Sequence, residues 1–298
     1  MNQNIFNSLS SPAVVGGGLM IAAGAVFAMV NIAVQSAEMT LGAGANAVVF
    51  WQYLVALACS LPWVLRTGLG QLRSANIGWH LLRVALAATG VQLWVQGLAF
   101  VPIWQAIALI MTSPFFVTIG AHFFLGERAD APRWGATLMG FMGGMVILQP
   151  WSDAFNWAAF YPLGAAVFWA ATSVMTKKLT RTESADTITL YLLLFLTPIN
   201  FGLAAAGTGF ALPGNMALGL VLVAGGLTFI AQLLLARAYA TADAAYLQPF
   251  DHLKLPLNVL AGFLVFGWVP GGYLWLGALM IVVASLALMR QEARLVAA

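Results

Sequence analysis

Charge is what this 298-residue chain has least of. Only 7% of its residues are Asp, Glu, Lys or Arg, while 62% are hydrophobic; an ordinary globular domain carries roughly a quarter charged residues. That composition excludes a water-soluble fold. A single cysteine, Cys59, and three histidines, His80, His122 and His252, cannot build a disulfide framework or a Cys/His zinc site. Cys59 lies in an apolar stretch and is expected only to pack. No metal-ligand cluster, paired carboxylates or nucleophile–base spacing is present, so neither an enzyme nor a metal or cofactor is expected. The net charge of +3 is small and dispersed, which gives no footprint for a nucleic acid. Residues 1–11 hold no Lys or Arg, so the positive start of a cleavable signal peptide is missing and the first apolar segment should persist as a helix.

Long apolar runs are abundant. With about 20 residues needed to cross the hydrocarbon, spans are expected near 13–34, 46–65, 79–99, 103–125, 132–149, 157–177, 187–207, 214–236, 244–266 and 271–289. Eleven of the twelve Lys and Arg residues, from Arg66, Arg73 and Arg83 through Arg128, Arg133, Lys177, Lys178, Arg181 and Arg237 to Arg290 and Arg294, fall in alternate gaps. Short cation-rich loops stay in the cytoplasm. The reading is an all-α integral membrane protein of ten transmembrane helices, embedded in a lipid bilayer with both termini cytoplasmic. Trp63, Trp79, Trp134, Trp151, Trp157, Trp268 and Trp275 fall near span ends, where aromatic rings anchor at the interface.

A faint repeat divides the chain near residue 150. Pro114 precedes Gly135-Ala136-Thr137-Leu138-Met139 at the same spacing as Pro256 precedes Gly277-Ala278-Leu279-Met280. Five helices is an odd number, so a second copy must enter the membrane from the opposite side. Residues 1–150 and 151–298 therefore read as two inverted five-helix repeats, an architecture common among secondary transporters.

The hairpin from Pro114 through Leu125-Gly126-Glu127-Arg128 to Gly135 and Gly140, Gly143 and Gly144, taken with the ten spans, resembles the drug/metabolite transporter superfamily and its ten-helix EamA-type exporters. The abundant aromatics look most like the amino-acid exporters, including the aromatic-amino-acid (YddG-like) branch. The resemblance implies a transporter of the bacterial inner membrane that exports small metabolites, amino acids above all. It would work by alternating access around a cavity lined by helices one, three, four, six, eight and nine. The second half departs from the pattern: Phe266-Gly267-Trp268 stands at the turn and no Glu follows. Glu127 is accordingly expected to cap a helix or to pair with Arg128 or Arg133 at the surface.

An ionisable residue inside the hydrocarbon is a functional candidate. Helix nine concentrates them in Tyr246-Leu247-Gln248-Pro249-Phe250-Asp251-His252-Leu253-Lys254-Leu255-Pro256. Asp251 and Lys254 are three apart, hence neighbours on one face. Two readings stay open: a neutralising pair that lets the helix insert, or a Lys254 ammonium that attracts a substrate carboxylate while Asp251 holds it or answers a substrate ammonium. Tyr246 and His252 join the candidate set. Pro249 and Pro256 each remove a backbone donor, as Pro114 does in helix four. Interrupted helices at matched positions point to a midplane site. Thr89, Gln92 and Gln96 form a polar stripe on helix three, expected toward the bundle interior or in interhelical hydrogen bonds. Asn31 carries the same two readings. Trp94 and Trp169 lie deeper than the interfacial belt and could form an apolar wall or a cation–π surface, or simply pack. The glycine faces at Gly16-Gly17-Gly18 and Gly140/Gly144 read as close helix contacts, in a monomer or a weak homodimer. Proton coupling and simple facilitated efflux stay open, and a channel-like facilitator is the alternative to a carrier.

Overall fold

The computed structural model describes residues 11–37, 45–67, 74–98, 100, 109–110, 112–128, 130–148, 157–206, 214–267 and 273–297. In chain order its helices are α1 Pro12–Gln35, α2 Ala45–Thr67, α3 Ile77–Leu98, α4 Ser113–Leu125, α5 Ala131–Leu148, α6 Phe160–Leu179, α7 Ala185–Ala206, α8 Asn215–Thr241, α9 Ala244–Asp251, α10 Lys254–Phe266 and α11 Tyr273–Ala297. No strand occurs among the described residues. The ninth expected span is two helices, α9 and α10, placed end to end. Of the fourth, residues 101–108 and 111 lie outside the described residues, as do Trp151 and Trp268. Among the described residues, five segments are long and apolar enough to cross a bilayer: Pro12–Gln35, Asn46–Arg66, Trp157–Leu179, Ala185–Ala206 and Asn215–Thr241.

Local chemistry sets the helix ends. Ser11 accepts a 3.3 Å bond from the Val14 N–H, with Pro12 at the first helical position, where its missing donor costs nothing. The helices α4 and α10 are each 13 residues long and each stop at a left-handed glycine, Gly126 (φ 71°) and Gly267 (φ 68°). A side chain there would be strained. The same short element with the same cap thus stands at the corresponding place in both halves.

Large apolar side chains such as Leu65, Phe123, Phe124 and Leu264 point outward, as lipid-facing residues do. Cys59 is also exposed on α2, so the expected packing role is not what the structure shows. Because lipid is as apolar as leucine, helix association here rests on close approach and on polar bonds between helices. The pairs α1–α8, α5–α11 and α3–α6 carry the most extensive contacts.

The largest buried cluster gathers Met20, Val117, Leu125, Val174, Tyr239, Tyr246 and Phe250, drawing on α1, α4, α6, α8 and α9. It lies at the end of the bundle where the cations are. These cations are mostly helix-end residues rather than loop residues: Arg133, Lys177, Lys178 and Arg237 are all helical. Arg83 corrects the loop reading outright. It lies inside α3, 3% exposed, and donates to the Thr176 hydroxyl (2.7 Å) and the Ile188 carbonyl (3.1 Å). Two hydrogen bonds to neighbouring helices let a buried guanidinium be tolerated where a lone charge would not be.

Candidate binding site and the closed end

The break between α9 and α10 follows from Pro256. Having no N–H, it cannot bond the carbonyl of His252, and that carbonyl instead accepts from Leu255 at 3.1 Å, while Leu253 donates to Phe250 at 3.1 Å. These three-residue spacings tighten the chain. Thr112 donates to Leu109 at 3.1 Å just before Pro114, so the first half tightens in the same way. Pro249 sits within α9 without ending it, and its carbonyl accepts from Ser285 of α11 at 2.9 Å.

The break exposes a polar cluster. Lys254 forms an ion pair with Asp251, and their side chains keep 25% and 21% exposure. The Lys254 ammonium stands 5.5 Å from the Phe27 ring centroid on α1, within cation–π range. Gly24, one turn earlier, leaves room for the lysine stem; an added Cβ would meet its Cγ at 3.1 Å. Asn31 donates through Nδ2 to Asn258 Oδ1 at 2.8 Å, and Asn258 Nδ2 donates to the Lys254 carbonyl at 2.6 Å. Asp251 also lies within electrostatic reach of the buried Tyr239 hydroxyl on α8. The pair therefore lies against α1, with Tyr239 of α8 nearby. Asn258 did not figure among the sequence candidates. Its signal was present, since it stands four residues after Lys254 on the same helical face.

The other candidates take different places. His252 is fully buried and turned toward α5, where a Cβ on Gly140 would lie 2.5 Å from its Cδ2. Tyr246 is in the closed core, with the Arg133 guanidinium 5.8 Å from its ring centroid. Trp169 seats in the notch at Gly90, where a Cβ would lie 2.6 Å from its Cδ1, and Trp94 tilts against it at 6.1 Å. These two rings form the α3–α6 seam. Gln92 and Gln96 are exposed, on the side of α3 turned away from Arg83, Gly90 and Trp94, the residues that meet α6. Among the described residues no hydrogen bond or ring contact joins them to the Lys254 cluster.

At the cation-rich end, polar bonds tie the helices together, most of them across the two halves. Glu127 is buried, and its two carboxylate oxygens accept from the N–H groups of Ala244 (3.1 Å) and Ala245 (3.0 Å). It caps α9, where a negative charge meets the positive end of the helix dipole. The surface pairing with Arg128 or Arg133 is thereby replaced by a cap across the molecule. Arg133 reaches Asp243 at 3.0 Å, and Arg181 donates to the Leu125 carbonyl at 2.6 Å. Lys177 donates to the carbonyls of Tyr239 (2.9 Å) and Ala242 (2.7 Å) at the end of α8. Glu183 gathers Ser74, Asn76 (3.0 Å) and His80 (2.6 Å) from the other half. Burial alone would raise the Glu183 carboxyl; the hydrogen bonds from Ser74, His80 and Asn76 outweigh it and hold it below its ordinary value.

The opposite end is built differently. There Ala37, Val48, Ala217 and Val221 join α1, α2 and α8, while Gly97 meets Pro162 and Tyr161 between α3 and α6. Among the described residues no buried cluster bridges these two groups.

Comparison with known proteins places this geometry. The profile described as the EamA-like transporter family matches twice, over residues 15–149 and 156–290. A riboflavin transporter of Rhizobium johnstonii is 55% identical over 294 residues, covering 99% of this chain and 97% of that protein. A riboflavin transporter of Vibrio cholerae is 51% identical over 268 residues, 89% of each chain. More distant is an S-adenosylmethionine uptake transporter of Rickettsia conorii, 28% identical over 82% of this chain and 83% of that protein.

Proposed function

Because the chain belongs to the EamA-like transporter family, a family of multi-pass inner-membrane transporters and not of enzymes, we propose that its substrate is riboflavin. The observation that carries this reading is 55% identity along almost the whole length of a protein named for that substrate. The coarser expectation, a bacterial small-molecule transporter of EamA type, stands. Amino-acid transport is set aside, because the relatives at 55% and 51% identity are named for riboflavin, and export is not carried over, because neither name gives a direction.

The site supports the reading chemically. A flavin combines a flat aromatic body with a polar edge and a hydroxylated tail. The Lys254–Asp251–Asn258–Asn31 cluster supplies donors and acceptors next to the Phe27 ring, the mixture of apolar wall and few oriented polar groups that small-molecule sites use. The cation-rich end faces the cytoplasm by the positive-inside rule, with both termini there and the halves inverted. The conformation described is then closed inward, and the site would exchange between faces by alternating access.

The test is uptake of labelled riboflavin by purified protein in liposomes, with Lys254→Ala alongside. Saturable uptake that Lys254→Ala lowers about tenfold or more, an effect of about 1.4 kcal/mol, without lost membrane insertion is the expected result. No riboflavin uptake by the unaltered protein, beside uptake of another metabolite, sinks the assignment.

A further inference from the structure

We infer that Asp251 sets the charge of the substrate this site accepts, admitting neutral riboflavin and rejecting its 5′-phosphate. The inference rests on the riboflavin reading and names the discrimination made at that same site.

The argument starts from charge. Lys254 and Asp251 are joined in an ion pair, partly exposed beside Phe27 and Gly24 of α1. Beyond the pair, the neutral amide of Asn258 bonds the Lys254 carbonyl and that of Asn31 bonds Asn258, while the Tyr239 hydroxyl lies within electrostatic reach of Asp251. His252, the neighbour in sequence, is buried on the opposite side against α5 at Gly140. Arg133 and Lys177 are committed at the cation-rich end, to Asp243 and to the carbonyls closing α8. The polar patch therefore sums to zero. A phosphate entering it would have to win Lys254 away from Asp251 and stand beside an uncompensated carboxylate, in surroundings where charges are weakly screened. A neutral heterocycle meets no such barrier.

The amides give that heterocycle something to bind. The chain of bonds from Asn31 through Asn258 to the Lys254 carbonyl fixes how the Asn31 amide points. With one N–H committed, Asn31 keeps a second N–H and its carbonyl oxygen on an exposed side chain, one donor and one acceptor. An imide edge, as in the pyrimidinedione ring of a flavin, offers the matching acceptor C=O and donor N–H.

Competition by riboflavin 5′-phosphate against labelled riboflavin, in liposomes holding the full-length protein, tests this. The unaltered protein should prefer riboflavin at least tenfold. Asp251→Asn, which frees the Lys254 charge, should narrow that preference about tenfold, or 1.4 kcal/mol. If Asp251→Asn fails to fold, the double variant Lys254→Gln with Asp251→Asn carries the test. Having no cation to hold a phosphate, it should keep the wild-type preference, and a collapse of preference there overturns the inference. So does an unchanged preference in a folded Asp251→Asn. Equal transport of both flavins by the unaltered protein overturns the inference while leaving the riboflavin reading intact, whereas no flavin transport at all removes both.

Discussion

The two ends of this molecule are built from the same parts and held in different ways. Both halves carry a 13-residue helix closed by a left-handed glycine, Gly126 in α4 and Gly267 in α10. After Gly126 comes Glu127, which spans the interface to cap α9. After Gly267 the sequence has Trp268, and no acid stands ready for the matching task. Around Glu127 gather Arg133–Asp243, Arg181 and the Glu183–His80 contact. Among the described residues, a fold with internal symmetry thus carries such a lock at one end only. Alternating access needs two states of comparable free energy, so the polar bonds of the locked end set how far the equilibrium leans.

The most direct way to break the contrast is Glu127→Ala. Two charge-assisted bonds to buried N–H groups vanish, a loss of about 3 kcal/mol to the closed form. The closed-to-open ratio should fall on the order of 100-fold. In a background with Cys59 replaced, a cysteine at Ala170, 2% exposed in the core of the closed end, should then react far faster with a water-soluble thiol reagent. Unchanged labelling would mean that the cap is incidental to closure.

The second change sharpens the contrast from the other side. Gly90→Ala puts a methyl 2.6 Å from Trp169 and forces the α3–α6 seam apart, costing about 1–3 kcal/mol of stability. Thermal unfolding should come earlier and tryptophan emission should shift, while labelling at the closed end stays as it was. If that labelling rises as much as with Glu127→Ala, the two ends are not independent.

How much of this could be read beforehand follows the range of each interaction. The break at His252–Leu253 and its partner at Thr112 were legible, because a proline acts on its own helix within four residues. Most of the spans, and the helix-end positions of Trp63, Trp79, Trp134, Trp157 and Trp275, were legible for the same local reason. The partner of Glu127 was not: it is the backbone of Ala244 and Ala245, more than a hundred residues away and carrying no side-chain signature. Arg83 looked like a loop cation because its acceptors, Thr176 and the Ile188 carbonyl, belong to other helices. The lysine–aspartate pair was read correctly as a pair, three residues apart on one face. Its meaning for substrate charge depended on knowing that uncharged amides, not further cations, stand around it.

A smaller effect concerns pH. The Glu183 carboxyl lies below its ordinary value of 4.5, held there by Ser74, His80 and Asn76 against the opposing effect of burial. A depressed carboxyl contributes in full above its ordinary value and loses that contribution as pH falls through the lowered one. Labelling of the core cysteine, divided by that of an exposed reference thiol to remove the thiolate's own pH dependence, should therefore be flat from pH 8 to about 5 and rise only below the ordinary carboxylate range. Glu183→Gln should remove that acid limb. A rise centred above the ordinary carboxylate range would overturn the assignment to Glu183.

The smallest expected effect is the most discriminating about what kind of lock this is. Arg133 contacts Asp243 at 3.0 Å and Asp130 at 3.7 Å, yet those carboxylates are 48% and 51% exposed. Water and salt screen them, so each pair contributes less than about 1 kcal/mol. Arg133→Ala should change core labelling less than about fivefold, and raising the salt concentration should mimic it in the unaltered protein. Glu127→Ala should resist that mimicry, because the capped N–H groups are buried where ions do not reach. If Arg133→Ala opens the end as far as Glu127→Ala does, closure is held by surface charge rather than by a buried cap. The asymmetry between Gly126 and Gly267 would then have nothing to do with Glu127.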